Sequence, residues 1–288
     1  MIKLFVADID GTLLNEKSKL EEETIEAVLL FQKLGGKFML ATGRNVWEIG
    51  EITSRIPATI NNCVSGCVLY EADGKEIVSS FMDGKDIDAL LRHKHIRSEI
   101  THFHGDRMTY LLQRKEDVLN KAGSFLSRHM SLAEAKKLLQ KFYDGPYSKF
   151  ECSTDEIRKN PIAKVEMLYI DPEEFSVVAD LFRKEFAHCN IVVGSFMNNI
   201  EITSSLSDKG LSIRKYCQLK GIREDEVVVI GDSENDISML EQFKYSYAMG
   251  NASEKVKEAA NYVADDNRHL GVAKLLKQIC EEMIWNVE

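Results

Sequence analysis

The chain has 288 residues, 44% hydrophobic and 29% charged, a composition that builds a globular core without staples. Its formal net charge of −9 argues against a nucleic-acid surface, which carries a basic balance or stripe. No apolar run approaches the roughly 18 residues of a membrane-spanning helix. The cysteines are Cys63, Cys67, Cys152, Cys189, Cys217 and Cys280. Cys63 and Cys67 are the one close pair, with no companion Cys or His pair to complete a zinc site, so reduced and mostly buried thiols are expected.

Residues 3–9 read as a short buried strand ending in an acidic turn. Asp8 and Asp10 cut the apolar start short of a signal-peptide core, and a cytoplasmic protein is expected. Residues 20–34 read as a helix, with Leu20, Ile25, Val28, Leu29 and Leu34 near helical spacing and Gly35-Gly36 as its stop. A second apolar strand, 37–41, runs into Thr42-Gly43-Arg44, and 46–55 resumes as a helix. This β-α-β-α order with short connections predicts a parallel sheet with helices on its faces.

The rhythm changes near Phe81-Met82-Asp83-Gly84. Between about 84 and 200, strands are expected at 109–113 and 164–170, and helices at 132–142 and 173–186. A closing strand pair is expected at 191–194 and 200–204, turning near 197–199. This reads as a second α/β domain inserted into the first. Then come a helix at 209–219, an apolar strand at 226–230 capped by Gly231-Asp232, a helix at 236–242 and a strand at 245–249 ending at Gly250-Asn251. Helices at 252–260 and 272–283 close the chain. There is no internal repeat or low-complexity tract.

Two of the apolar strands end in carboxylates, at Asp8-Ile9-Asp10 and at Gly231-Asp232. In open α/β sheets, ligands bind at the carboxyl ends of the strands. Carboxylates gathered there repel one another, and a hard divalent cation such as Mg²⁺ relieves that repulsion. Helix capping would account for one such turn; it accounts poorly for both.

These residues resemble the motifs of the haloacid dehalogenase (HAD) phosphohydrolase superfamily. Asp8-Ile9-Asp10-Gly11-Thr12 is similar to its first motif, Thr42 after a strand to its second, Lys209 in Ser207-Asp208-Lys209-Gly210 to its third, and Gly231-Asp232-Ser233-Glu234-Asn235-Asp236 to its fourth. The order and the long insertion resemble the Cof-type subfamily. Ala41-Thr42-Gly43-Arg44, Ile200-Glu201-Ile202-Thr203 and Ala248-Met249-Gly250-Asn251-Ala252 agree with it. Two stretches depart from the usual text: Ser65-Gly66 stands where relatives have Asn-Gly, and His269-Leu270-Gly271-Val272 where they often have Asp-Gly-Val.

The resemblance implies a Rossmann-like three-layer α/β/α core with a parallel sheet, formed by 1–83 and 204–288, and an inserted α+β cap domain at 84–203 that sets substrate specificity. It implies Asp8 as the nucleophile forming an aspartyl-phosphate and Asp10 as general acid/base. Asp8, Asp232 and the Asp10 carbonyl would hold Mg²⁺. Thr42, Gly43, Arg44 and Lys209 would bind the phosphoryl group, with Thr42 and Lys209 also acting in catalysis. Asn235 and Asp236 would position Lys209, water or the metal's outer ligands. Arg44 could instead sit in a surface salt bridge, and Asn251 could only shape a turn.

The expected activity is Mg²⁺-dependent hydrolysis of a small phosphorylated metabolite, a sugar phosphate by the family's habit. Candidate cap readers are His102, His104, Asp106, Arg107 and Asn198. The expected partner is that substrate alone, with no nucleic acid and no membrane, for a monomer or small homo-oligomer. The competing readings are a phosphosugar mutase or other phosphotransferase of the same design, and a catalytically idle regulatory binding protein.

Overall fold

The computed structural model describes residues 1–57, 59–106, 108–194 and 198–285. The chain begins with β1 (Leu4–Ala7), α1 (Glu22–Lys33), β2 (Lys37–Ala41), α2 (Gly50–Arg55), β3 (Ile60–Cys63), β4 (Val68–Tyr70) and β5 (Glu76–Ser79). It continues through α3 (Gly84–Arg92), α4 (Lys94–Ser98), β6 (Ile100–Gly105), β7 (Thr109–Leu111), α5 (Lys115–Leu126), α6 (Leu132–Tyr143), β8 (Ser148–Lys149), α7 (Thr154–Arg158), β9 (Ile162–Leu168), α8 (Pro172–Glu185), β10 (Cys189–Gly194) and β11 (Asn199–Ser204). It ends with α9 (Lys209–Lys220), β12 (Val227–Gly231), α10 (Ile237–Gln242), β13 (Tyr245–Ala248), α11 (Glu254–Ala259), β14 (Tyr262–Val263) and α12 (Gly271–Trp285). Two compact units result: Met1–Ser79 with Ser207–Glu288, and Ser80–Leu206.

The first unit is built on an eight-stranded sheet ordered β14-β13-β12-β1-β2-β3-β4-β5. The pairs from β14 to β3 are parallel, while β4 and β5 add an antiparallel edge. β1 is buried at every residue, as a parallel strand covered on both faces must be. Alternate side chains divide between the faces. Leu4, Val6, Met39, Val227 and Val229 pack with Ile213, Tyr216, Met239 and Phe243 from the α9–α10 side. On the opposite face Phe5 stacks on Phe38, with ring centroids 6.0 Å apart, and meets the edge of Phe31 of α1 at 6.2 Å. The unit is thus a three-layer α/β/α sandwich.

From β1 the chain winds outward through β2 and β3; it returns on the other side through β12, β13 and β14. The order reverses between β1 and β12, which is where an open α/β sheet leaves a crevice for ligand. The single helix expected at 46–55 is broken. Glu48 bonds back to the Asn45 N–H at 2.7 Å and closes a short 3₁₀ turn over Val46–Glu48, and α2 starts afresh at Gly50. Asp236, expected to open a helix, ends the 3₁₀ turn Glu234–Asp236 just before α10.

The second unit carries a six-stranded sheet ordered β10-β11-β9-β6-β7-β8, antiparallel except for β7–β8. Phe103, Val165, Met167, Ile200 and Ile202 point to one face and pack with Leu90, Phe182 and Phe186. Ile100, Leu111 and Leu168 serve a second cluster with Val118, Phe125 and Leu139 of α5 and α6. Helix α5 went unread in the sequence because Asn120, Gly123 and Ser124 blur its apolar stripe. No disulfide joins the six cysteines among the described residues. Among the described residues no helix is long and apolar enough to cross a membrane.

The Phe5 ring is fully buried between two aromatic neighbours. Phe5→Ala should therefore cost about 3–5 kcal/mol, read as a fall in the denaturant midpoint at unchanged slope. A loss below about 1 kcal/mol would show that the layer does not close on this ring.

Candidate active site

The site begins where β1 stops. Ala7 pairs with Ile230 on one side and Leu40 on the other, so Asp8 leaves the sheet beside the ends of both neighbours. Its N–H still bonds the Ile230 carbonyl at 3.0 Å. The next residues coil tightly: Leu13 N–H returns to the Asp8 carbonyl at 3.2 Å and Leu14 N–H to that of Ile9 at 3.0 Å. Gly11 sits at φ +83°, and a Cβ there would lie 2.2 Å from Asp232 Oδ2, so the coil needs glycine for both conformation and room. Thr12 Oγ1 donates to Asp232 Oδ1 at 2.9 Å, linking the ends of β1 and β12 across 220 residues of chain.

Lys209 opens α9 and is completely buried. Its ammonium donates to Asp8 Oδ1 at 2.7 Å and Asp236 Oδ1 at 2.6 Å. The helix start itself is capped by Asp208, which accepts from Leu211 N–H at 2.7 Å. The other oxygen of Asp236 accepts the N–H groups of Asp232 and Ser233, each at 2.9 Å. Asp236 therefore fixes the loop after β12 and holds the lysine at once.

Asp8, Asp232 and Asp236 each offer an oxygen within 4.8 Å of the others. One ammonium stands against three carboxylates. Burial pushes the Asp8 carboxyl well above the usual range; Lys209 opposes this, while Asp236 and Asp232 reinforce it. Burial, then Asp236, pushes Asp232 up to about 7. Burial works against the charge on Lys209, but Asp236 and Asp8 outweigh it and hold the ammonium above its ordinary value. The donor set is all oxygen and carries excess negative charge, which fits a hard divalent cation such as Mg²⁺. Asp236 has both oxygens engaged by protein donors. Among the described residues Asp8 Oδ2 accepts no bond, and Asp232 meets only Thr12 at 2.9 Å and Asn251 at 3.5 Å, so Asp8 and Asp232 are the side chains that could hold the ion.

The other expected residues fall around this centre. Thr42 is buried; its N–H bonds the Asn62 carbonyl at 2.8 Å, and its Oγ1 accepts the Arg44 N–H at 3.1 Å across Gly43. It caps no helix, since Asn45 takes that place. Arg44 forms a two-point pair with Asp10, Nε to Oδ2 at 2.7 Å and Nη2 to Oδ1 at 2.5 Å. Asp10 is half-exposed and its carboxylate faces this guanidinium. Asn235 bonds the Ser233 hydroxyl at 2.8 Å rather than Lys209. Asn251 does more than shape its own turn: its Nδ2 donates to the Gly11 carbonyl at 2.9 Å and its Oδ1 accepts Asn267 N–H at 3.1 Å.

Two supports escaped the sequence reading. Asn62, wholly buried in β3, donates to the Lys209 carbonyl at 3.4 Å. Its signal was a pair of asparagines inside an apolar strand. Gly66, at φ +92°, lies so close to α9 that a Cβ would sit 2.2 Å from the Asp208 carbonyl oxygen. Ser65-Gly66 is thus the seat of the Lys209 helix start.

In the second unit His102 and His104 are buried in β6. His102 bonds Tyr143, and burial with His104 beside it pushes the ring down to about 3. His104 bonds Thr109 at 3.0 Å and Glu166 at 3.1 Å. Asn198 donates to the Ile170 carbonyl at 3.1 Å, Asp106 follows β6, and Arg107 lies outside the described residues, as does Met197 of the expected turn.

Residues 5–276 match the haloacid dehalogenase-like hydrolases, and the chain belongs to that family. It is 28% identical to the phosphatase YwpJ of Bacillus subtilis over 96% of this chain and the whole of that one. It is 25% identical to the 5-amino-6-(5-phospho-D-ribitylamino)uracil phosphatase YcsE of the same organism, over 96% of this chain and 95% of that one. A haloacid dehalogenase-like hydrolase structure from B. subtilis superimposes with TM-score 0.83 at 23% identity, covering 96% of this chain and 99% of that one. The chain is accordingly an enzyme of the phosphoric monoester hydrolase class.

The raised Asp232 carboxyl has a testable sign. Its stabilising contribution is complete below its ordinary 3.8 and is lost as pH rises through about 7. With chelator present, Asp232→Asn should raise the melting temperature above about pH 7, and the gain should close toward 3.8. Mg²⁺ should raise the melting temperature of the wild type and not of the variant. A variant less stable than wild type in chelator at high pH would contradict the charge account.

Proposed function

We propose that the chain hydrolyses a small phosphorylated metabolite with Mg²⁺, through an aspartyl-phosphate on Asp8. The observation that carries this reading is the Asp8–Lys209–Asp236 chain of hydrogen bonds at the β1–β12 crevice of a haloacid dehalogenase-like hydrolase. Lys209 takes Asp8 Oδ1, and no hydrogen bond to Oδ2 is found among the described residues, which leaves that oxygen for attack on phosphorus. The bond from phosphorus to the leaving oxygen breaks, and Asp10 gives that oxygen a proton. In the second step water attacks phosphorus and returns its proton to Asp10, and the bond to Asp8 breaks. Asp10 would exchange Arg44 for the substrate oxygen when it carries the proton. Thr42 and the Gly43–Arg44 bend would hold the phosphoryl oxygens, and Lys209 would neutralise the charge that builds there.

Asp8, Asp232 and the Asp10 carbonyl would hold the Mg²⁺, which when bound adds neutralising charge at the phosphoryl group. We assign the reading of the rest of the substrate to the inserted unit. A sugar or sugar-alcohol phosphate is the substrate class we favour, supported by the phosphoribityl compound in the name of the YcsE relative.

Phosphate release from p-nitrophenyl phosphate or acetyl phosphate with Mg²⁺, and its loss in chelator, is the expected result. Asp8→Asn should abolish turnover while retaining the fold by circular dichroism. Asp10→Asn should slow turnover by ~10²–10⁴. Full activity in Asp8→Asn, or no activity on any phosphoester, would sink the proposal; the second outcome would favour an idle binding protein.

A further inference from the structure

Asp86, His188 and Cys189 meet in the second unit, in a place that the phosphatase reading does not use. Asp86 lies in the first turn of α3, His188 in the turn after α8, and Cys189 at the start of β10. β10 is the edge strand of its sheet. His188 Nε2 is 2.8 Å from Asp86 Oδ1, and the Cys189 thiol points at Asp86 Oδ2 from 3.8 Å. One ligand atom from each of the three lies within 4.8 Å of the other two.

We propose that Asp86, His188 and Cys189 bind a borderline divalent transition metal, Zn²⁺ foremost, which ties α3 to the edge strand β10. Thiolate, imidazole and carboxylate are the ligand types of zinc, and a thiolate has no place around Mg²⁺. Tetrahedral zinc with its usual bond lengths sets its S and O ligands about 3.6 Å apart and its N and O ligands about 3.4 Å apart. The sulfur–oxygen spacing of 3.8 Å already matches. His188 bonds the other oxygen, Oδ1, at 2.8 Å and has to swing to set Nε2 about 3.4 Å from Oδ2; its side chain is 61% exposed. The ion replaces the thiol proton, which leaves to solvent; His188 keeps its single proton by moving it to Nδ1. Water completes the fourth position.

Two alternatives fit less well. A nucleophilic cysteine needs a lowered pKa, whereas burial and Asp86 push Cys189 up to about 11. The other His-rich group, His102, His104 and Glu166, is already engaged with Tyr143, Thr109 and Asn199, and Lys164 brings its ammonium to 3.6 Å from Glu166. That cation opposes a metal there. The charged group beside Cys189 is Asp86, whose negative charge attracts a cation.

The test uses Co²⁺ as a spectroscopic stand-in for Zn²⁺, added to the full chain in saturating Mg²⁺. One equivalent should produce a near-ultraviolet thiolate-to-cobalt charge-transfer band, and Zn²⁺ should displace it. Cys189→Ser should abolish the band. His188→Ala, at a largely exposed side chain, and Asp86→Asn should weaken binding by at least ~10-fold, since even outer partners of a ligand are worth that much. Zn²⁺ should raise the melting temperature of the wild type and not of Cys189→Ser. Absence of the band, its survival in Cys189→Ser, or unchanged affinity in His188→Ala would overturn the proposal. None of these readouts depends on phosphatase activity.

Discussion

The first unit depends on one buried ammonium. Lys209 has no exposed surface, and an unpaired charge in that position would cost several kcal/mol. Asp8 and Asp236 compensate it at 2.7 and 2.6 Å, so the end of β1, the start of α9 and the loop after β12 are held to a single point. Removing the lysine would leave two buried carboxylates facing each other. The surrounding details serve this contact. Gly66 lets the turn after β3 press against the start of α9, Asn62 bonds the lysine's own carbonyl, and Asp236 uses its second oxygen to shape the β12 loop.

The same contact explains where a large insertion can be tolerated. The chain leaves the first unit after Ser79 and re-enters it at Ser207, two residues before Lys209. Because β5 is the edge strand and α9 starts beside the β3–β4 turn, the insertion opens the chain without cutting the β1–β12 pairing. The unit in between has its own sheet and its own two apolar clusters. The charge balance follows from the pairing as well. Lys209 satisfies one negative charge where three carboxylates converge; burial first, and then that surplus, raises the carboxyls of Asp8 and Asp232. A site with this surplus of negative charge suits a hard cation.

Much of this was legible in the sequence because chemistry constrains residue type at single positions. Asp8, Asp10, Thr42 and Asp232 follow strands and Lys209 opens a helix, and strand ends can be read from short apolar runs. The supports were harder, since they act across distance. Asn62 and Lys209 are 147 residues apart, and Asn251 and Gly11 are 240 apart; no local pattern announces either bond. Ser65-Gly66 looked like a departure from the family's text, yet positive φ at both residues makes it the turn that seats α9. The antiparallel β3–β4–β5 edge is only three or four residues per strand, too short for alternation to emerge. Arg44 was open between substrate and salt bridge; its guanidinium lies on Asp10. The Asp86–His188–Cys189 group joins residues 102 and 103 positions apart, so cysteine spacing could not reveal it.

In the proposed reaction Asp8 carries the phosphoryl group during turnover. Borohydride added during steady-state turnover tests it directly, because it reduces an acyl phosphate to the alcohol and leaves a free carboxylate untouched. Peptide mass spectrometry should then find homoserine at position 8, only when Mg²⁺ and substrate are both present. Turnover without modification at Asp8, or modification at Asp10 or Asp232 instead, would contradict the account.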